Sequence, residues 1–594
     1  MTIFTRPRDR RSSWVAAISI FAVLASGCVP ADEEQVVVDL TSRVTLTGDD
    51  SDTALPVEVS GEVRAIGIEA GRTAEAFVRL PADAELRFST RPELARGDFD
   101  IVVASDRGAI DAEPEAAERD SIWRMPLAGP EGLPVSIRLE NRSTQRLLWV
   151  APRVVGEGNG QAPVLEASLV PHSEPLNILV YVVDTLRADR MSIYGYERPT
   201  TPRLEARADG MIRFEHAYAQ SSHTIPSVSS MFASRMPSEL KGKLSSDGPA
   251  RATLAEALRA GGYETAALQT NFVLLKTHGY ARGFDEYSML RHTGLPRLDQ
   301  YYTAAQLHAE VKTWLRAAPA EPFFLYVQSM DVHFPYNAPA PFGERFLPEE
   351  APPIDDARIR DLTPEQVAAL PAFLDAWSPD RYDGGVAYAD EYLERLLALL
   401  DELEIADRTV VVITSDHGEP LHQHGEFRHG LSLYEELVRI PLLLVVPGLG
   451  EGIVVQPIVS LLDLGPTLLD LAGVPVPESF VGRSLLGPRG AAMAAMAAGE
   501  LPTVRDRQTR SWYLREDGWK LIVARDAVSL FDLTVDPDEE NDVSSLHPVR
   551  VGTMMTELMA RSPALRGEVA PHPSLSESPD AELQDALRAL GYVD

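Results

Sequence analysis

Three short peptides carry the side chains of a possible reaction centre: Val183-Asp184-Thr185, Ser222-His223-Thr224-Ile225-Pro226-Ser227 and Ser415-Asp416-His417-Gly418. Two carboxylates and an imidazole suit a divalent cation such as zinc or manganese, and availability as well as ligand type decides which. A hydroxyl placed beside such a cation becomes a usable nucleophile, because its pKa falls and its direction of attack is fixed. The set points to phosphoryl or sulfuryl transfer. A single Asp after a strand is also a common helix cap or turn residue, so the peptides must converge for that chemistry to arise.

Convergence follows from the elements around them. Residues 178–183 and 409–413 are continuous β-branched runs of strand length, as expected for central strands of a parallel sheet covered by helices on both faces. Polar residues just past the carboxyl ends of such strands meet in the crevice where open α/β sheets bind ligands, so Asp184, Asp416 and His417 become neighbours. Pro226 near the start of an apolar-periodic run puts Thr224 at a helix N-terminus, where exposed N–H groups and the dipole favour a phosphoryl or sulfuryl anion. Beyond Asp416 the chain is polar and Gly-rich. It holds His417, His422, His424 and His429, four of the 13 histidines, which reads as a site rather than a folding device. Residues 382–404 place Val386, Leu393, Leu396, Leu397, Leu400 and Leu403 on one stripe of a helix, and its Asp383 and Asp390 are expected at the surface.

At these residues the chain resembles the sulfatase branch of the alkaline phosphatase superfamily. The segments that carry the resemblance are 177–196, 224–227, 283–287, 323–336, 416–419, 460–473 and 530–537, spread over residues 175–550. The resemblance implies an alkaline phosphatase-like α/β sheet sandwiched by helices and a metal-dependent ester hydrolase. Most sulfatases have, two residues before the Pro-Ser pair, a Cys or Ser that is oxidised to formylglycine. This chain has Thr224 there, its only cysteine is Cys28, and Val228 replaces the Arg that normally follows. These departures favour Thr-nucleophile relatives that act on phosphodiesters or transfer phospho-head-groups.

What the resemblance implies for the site is one divalent metal ion, with Mn, Zn and Ca left open, bound by Asp184, Thr224, Asp416 and His417. Thr185 stands where many sulfatases have a second Asp, which favours a transition metal over calcium. Thr224 is the nucleophile and passes through a covalent phospho-Thr. His333 and His429 contact substrate oxygens or protonate the leaving group, a general-acid role suited to imidazole. A two-metal version adds Asp331, His333 and His429. Arg187, Arg235 and Arg428 are candidates for local positive charge. Three readings remain: a hydrolase of phosphate, phosphonate or sulfate esters, a phospho-head-group transferase, and an inactive anionic-glycan-binding protein.

The 594 residues, 45% of them hydrophobic, can bury more than one core. A net charge of -33 argues against a basic nucleic-acid or anionic-lipid surface and reads as solubility, so the anionic ester expected as partner would depend on local positive charge from the metal and nearby Arg or His. Residues 6–11 are basic, 14–24 largely apolar, and Ala25-Ser26-Gly27-Cys28 ends the run, the layout of a secretory signal. It resembles a bacterial lipoprotein signal, implying an envelope protein, periplasmic or at the outer membrane, anchored through lipidated Cys28. The expected domains are a signal (1–28), a tether (29–45), an all-β sandwich (46–170), the catalytic domain (175–500), a small α+β subdomain (501–560) and a tail (561–594). The oligomeric state is open.

Overall fold

The structure is a computed structural model. It describes residues 175–240, 251–271, 273–290, 302–334, 336–349, 372–426, 429–448, 452–486, 510–524 and 527–562, residues 244 and 565, the strand Met496–Leu501, and the strands with some of their turns between 35 and 157. The basic-apolar leader with Cys28, Arg428 and the segment 566–594 lie outside the described residues.

The central sheet has eight strands. Asn177–Val183 lies at its middle, paired in parallel with Phe323–Ser329 on one side and Thr409–Thr414 on the other. Beyond Phe323–Ser329 come Glu264–Gln269 and Glu286–Met289, also parallel. The other half departs from the expected parallel sheet. Leu442–Val445 runs antiparallel both to Thr409–Thr414 and to Met211–Phe214, and Ile453–Val455 closes that edge, so the sheet is mixed.

Every residue of Asn177–Val183, Phe323–Ser329 and Thr409–Thr414 is buried, because alternate side chains enter two different cores. Ile178, Val180, Val182, Val410 and Val412 pack with Val228, Met231 and Phe232 of the helix Thr224–Ala233, with Leu254 and Leu258, and with Leu464 and Leu468. Leu179, Tyr181, Val183, Val411 and Ile413 pack on the opposite face with Leu307, Val311 and Leu315 and with Val386, Leu393, Leu396 and Leu400. Each such Val or Ile contributes roughly 1.5–3 kcal/mol by leaving water, which is why β-branched runs without alternation are stable here.

The helix Ala372–Glu402 starts well before the expected residue 382. Its two acids also differ from expectation, since Asp383 and Asp390 are fully buried. Asp390 accepts from the N–H groups of Leu204 (3.0 Å) and Arg203 (3.1 Å), and Asp383 accepts from Arg198 (2.8 Å) and from the Tyr196 hydroxyl (2.9 Å). They tie the segment after the first central strand to the helix, so the helix is covered on two sides.

Residues 35–157 build two antiparallel sheets of seven and five strands, and one apolar cluster draws from both, including Val78, Leu86, Met125, Val135 and Ile137. At the other end of the chain, Met496–Leu501, Ser511–Glu516, Trp519–Ala524 and Ala527–Asp532 form an antiparallel sheet that packs on the helix Pro548–Arg561 through Trp512, Leu514, Leu521, Met554 and Leu558. These two modules, distant in sequence, meet. Asp106 accepts from the N–H groups of Val549 (2.7 Å) and Arg550 (3.2 Å) at the start of that helix, Arg79 pairs with Glu516, and Gly552 lies so close to Phe77 that an added Cβ would come within 2.6 Å of the ring. No helix among the described residues is long and apolar enough to cross a membrane.

Candidate active site

At the carboxyl edge of the central strands the chain leaves the sheet twice in succession. Asp184 follows Asn177–Val183, and Ser415-Asp416-His417 follows Thr409–Thr414, so the parallel pairing carries the acids to one place. Ser415 braces the two departures: its hydroxyl accepts from the Leu186 N–H (2.9 Å) and donates to the His417 carbonyl (2.6 Å). Thr185 is buried in the left-handed region with φ 60, a conformation that costs a β-branched residue roughly 1–3 kcal/mol. That turn aims its N–H at Asp416 Oδ1 (3.4 Å), while its hydroxyl donates to the Asp184 carbonyl (2.7 Å) and its carbonyl accepts from Tyr382 (2.7 Å). Gly418 is required by crowding, since a Cβ there would sit 1.9 Å from the Glu436 carbonyl oxygen.

Asp184, Asp416 and His417 form a fully buried group whose ligand atoms lie within 4.8 Å of one another, and they are the one such group among the described residues. Each acid has one oxygen satisfied and one not. Asp184 Oδ2 accepts from Asn271 (2.6 Å) and Gln328 (2.9 Å), and Asp416 Oδ1 accepts from the N–H groups of His417 (3.1 Å) and Thr185. The other oxygens, Asp184 Oδ1 and Asp416 Oδ2, have no hydrogen-bond partner and lie 4.0 and 3.5 Å from His417 Nε2. His417 Nδ1 donates to the Gly418 carbonyl (2.9 Å), which leaves the Nε2 lone pair facing those oxygens. Orphaned buried carboxylate oxygens beside an imidazole lone pair are costly unless something cationic lies among them, so the donor set fits a divalent cation. The electrostatics agree. Burial and the neighbouring Asp416 push Asp184 up to about 6, burial pushes Asp416 up to about 6, and burial lowers His417.

Thr224 opens the helix Thr224–Ala233, and its hydroxyl lies 3.2 Å from His417 Nε2. Ser227, of the same helix, donates to the Asp416 carbonyl (2.6 Å) and so locks the helix start onto the acidic peptide. His333 and His429 meet through their Nε2 atoms at 3.1 Å, and the His429 ring lies 4.4 Å from the His417 ring. His333 Nδ1 faces the Phe334 carbonyl (2.7 Å) and must donate there, whereas His429 Nδ1 has no partner. The pair is satisfied when His429 carries its proton on Nε2 and donates it to His333. Burial and the surrounding imidazoles, first His417 and then His333, hold His429 well below the ordinary histidine range.

Thr224, Asp184, Asp416, His417, His333 and His429 are therefore brought together. Asp331 lies apart from this group: its Oδ1 accepts from the Ala304 N–H (2.9 Å) at the start of the helix Ala304–Arg316, its Oδ2 has no partner, and it forms no ligand-distance group with His333 and His429 among the described residues. Arg187 is buried and committed to Asp189 (2.6 Å) and the Glu419 carbonyl (2.9 Å), and Arg235 pairs with Glu239 (2.8 Å). His424 pairs with Glu436 instead of joining the cluster.

Four further residues at the site were not singled out in the sequence, although His223, Gln328 and Glu419 lie inside the segments quoted there. His223 packs edge-on against His429 with centroids 5.8 Å apart, and burial pushes it down to about 4. Asn271 follows the end of the strand Glu264–Gln269, and the same rule of carboxyl strand ends that locates Asp184 applies to it. Gln328 lies inside a strand, where nothing in the sequence marks it. Glu419, buried with one oxygen unpartnered, is pushed up to about 7 by burial, against the opposing effects of His333 and of the N–H groups of His429 and Phe334.

Residues 176–474 match the family model described as Sulfatase, and residues 423–561 match one described as N-sulphoglucosamine sulphohydrolase, C-terminal. Arylsulfatase K of Mus musculus is 34% identical over 175 residues, which are 27% of this chain and 32% of that protein. Arylsulfatase K of Gallus gallus is 32% identical over 211 residues, 33% and 37% of the two chains. The match thus spans about a third of the length of these relatives. Among solved structures, the phosphonate monoester hydrolase of Agrobacterium radiobacter shares the fold with a TM-score of 0.51 at 20% identity, over 62% of this chain and 92% of that one. A protein solved in complex with its substrate D-glucosamine-2-N,6-O-disulfate does so with a TM-score of 0.53 at 22% identity, over 69% of this chain and 100% of that one.

Proposed function

We propose that this chain, which belongs to the sulfatase family, is a divalent-cation-dependent hydrolase of phosphate, phosphonate or sulfate esters whose nucleophile is the Thr224 hydroxyl. The observation that carries the reading is the meeting of Thr224 Oγ1 with His417 Nε2 at 3.2 Å, beside two orphaned carboxylate oxygens of Asp184 and Asp416. A divalent cation held by Asp184, Asp416 and His417 supplies Lewis acidity there, lowering the pKa of a hydroxyl and neutralising charge on an ester oxygen.

The chain's own residues do the rest. Thr224, fixed at the first position of a ten-residue helix, presents its oxygen to the phosphorus or sulfur of an ester whose anionic oxygens face the helix N-terminus. As the bond from Thr224 Oγ1 to phosphorus or sulfur forms, the hydroxyl proton passes to water and the bond to the leaving oxygen breaks, and a second water releases the product in a second step. His429 and His333 are joined through their Nε2 atoms, and a proton taken up by this pair, which makes one ring an imidazolium, is the one placed to pass to the departing oxygen. Asn271 and Gln328 orient Asp184, and Ser227 holds the Asp416 backbone. The arylsulfatase K relatives favour sulfate esters, whereas Thr224 in place of a formylglycine precursor and Val228 in place of Arg favour phospho-esters. The leader ending at Cys28 supports a lipid-anchored position at a cell envelope.

The test is turnover of matched nitrophenyl sulfate, phosphodiester, phosphonate and phosphomonoester substrates by the cation-loaded protein, with Thr224→Ala alongside. Turnover that vanishes in Thr224→Ala, while cation binding persists, supports the reading and names the ester class. Turnover that survives in Thr224→Ala refutes the nucleophile. No turnover of any ester by the loaded wild type refutes the hydrolase reading in favour of transfer to another acceptor or of glycan binding.

A further inference from the structure

His429 reaches the site from a segment whose two ends are fastened by residues other than the cation ligands. The ring of His424 stacks on that of Tyr434 with centroids 3.6 Å apart and planes 4° from parallel, which draws together residues on either side of His429. His424 Nδ1 pairs with Glu436 Oε1 at 2.8 Å, and its Nε2 lies 3.3 Å from the Glu539 carbonyl oxygen. One imidazole therefore joins the start of the segment, its end, and the turn that follows the C-terminal sheet.

The fastening is built, not incidental. Leu421 (φ 46), His422 (φ 72) and His424 (φ 54) all adopt left-handed backbone, and such residues persist only where surrounding contacts over-determine them. The far end is gripped from the same side. The Glu435 N–H donates to Glu539, and the fully buried Lys520 ammonium lies 3.1 Å from both Glu435 and Glu539. Tyr434 packs edge-on against Phe531. Between the two fixed ends, Gly430 (φ 81) turns the chain against His223, where a Cβ would meet the ring at 3.0 Å. His429 then faces His333 at 3.1 Å.

We infer that His424 is a positioning residue of this site: by closing the base of the segment against Tyr434, Glu436 and Glu539 it sets the place of the His429 imidazole. The inference rests on the proposed role of the His333 and His429 pair as proton donor. Its own content is narrower, since His424 pairs with neither the cation ligands nor Thr224 and acts through the segment it closes. Losing one charge-assisted hydrogen bond shifts the balance between closed and open base by roughly 10- to 150-fold.

The experiment compares wild type with His424→Ala and His424→Gln, the second of which keeps a side-chain donor for Glu436. Amide hydrogen exchange is followed for peptides covering 425–434, 178–184 and 409–417, with kcat, KM and cation affinity on the loaded protein and the imidazole proton resonance of His429. In His424→Ala, exchange over 425–434 rises at least about tenfold and the His429 resonance moves, while the other two peptides and the cation affinity stay unchanged. kcat falls with KM nearly constant, and His424→Gln recovers most of both losses. Faster exchange with unaltered kcat would make His424 a tether without bearing on the reaction, and unaltered exchange would remove even that. Should the wild type turn over no ester, the hydrolase reading fails by itself. The His429 resonance then decides the positioning claim, upheld if it moves in His424→Ala and overturned if it does not.

Discussion

Replacing Asn271 by leucine removes one of the two donors that hold Asp184 Oδ2 while nearly keeping side-chain volume. Asn271 Nδ2 lies 2.6 Å from that oxygen and Gln328 Nε2 lies 2.9 Å away, and all three side chains are buried. Leucine supplies no donor in its place, so the carboxylate forfeits a charge-assisted bond of about 1.5–3 kcal/mol. Cation binding needs Asp184 ionised and its other oxygen aimed at His417, and at about 1.36 kcal/mol per decade the affinity should fall about 10- to 150-fold. That agrees with the roughly 10- to 100-fold cost of removing a hydrogen-bond partner of a metal ligand in other sites. Competition against a chelator of known affinity, with manganese and zinc measured separately, reads the effect directly. Thermal shift against cation concentration gives an independent value, because a ligand that binds only the folded state raises stability with concentration. If Asn271→Leu binds both cations within twofold of wild type, the bond from Asn271 to Asp184 has no part in holding the cation.

Asp331 offers a pH test apart from the cation ligands. Burial pushes its carboxyl up to about 7 against the pull of the Ala304 N–H, so its proton is held more tightly in the folded chain than in the unfolded one. This contribution is fully present below about pH 4 and is lost as pH rises through about 7; at about 1.4 kcal/mol for each tenfold difference in proton affinity it comes to a few kcal/mol. Asp331→Asn should therefore gain melting temperature relative to wild type at about pH 8 but not at about pH 4, and an equal difference at both would contradict the assignment. Gly418→Ala should cost several kcal/mol or misplace His417, because the added methyl meets backbone, not a movable side chain, at 1.9 Å. Wild-type cation affinity and melting temperature in that variant would show the approach of Glu436 to be dispensable.

The frame of the site was legible because it rests on strands that are buried on both faces. Uninterrupted runs such as 178–183 and 409–413 have few alternatives, and the residue after each must emerge at the same edge once the strands pair in parallel. Thr224 was legible for a local reason, Pro226 and the apolar spacing that follows. Residues whose role depends on distant partners were not. Asp383 and Asp390 lie off the apolar stripe of their helix, and only the return of residues 190–204 across that face buries them. Gln328 reads as one more strand residue until Asp184 and Tyr326 are placed beside it. The left-handed turn at Thr185 is invisible because nothing in a β-branched residue advertises φ above zero. The reversal of the sheet at Leu442–Val445 leaves no trace in composition, since a buried antiparallel strand and a buried parallel one have the same apolar run.

The contact of Asp106 with the N–H groups of Val549 and Arg550 joins residues more than 440 positions apart. A ribosome releases this chain from its N-terminus, so the sheets of residues 35–157 exist long before the helix they dock against. Until residues 548–561 emerge, Phe77 lacks the surface it packs on and the first turn of that helix lacks its acceptor. Loop-closure entropy grows only logarithmically with length, so the finished contact loses little stability to the intervening sequence. What the distance imposes is order and delay: the two modules cannot join until residues 548–561 have emerged, and a chain stopped short of residue 548 leaves Phe77 and Asp106 without their partners.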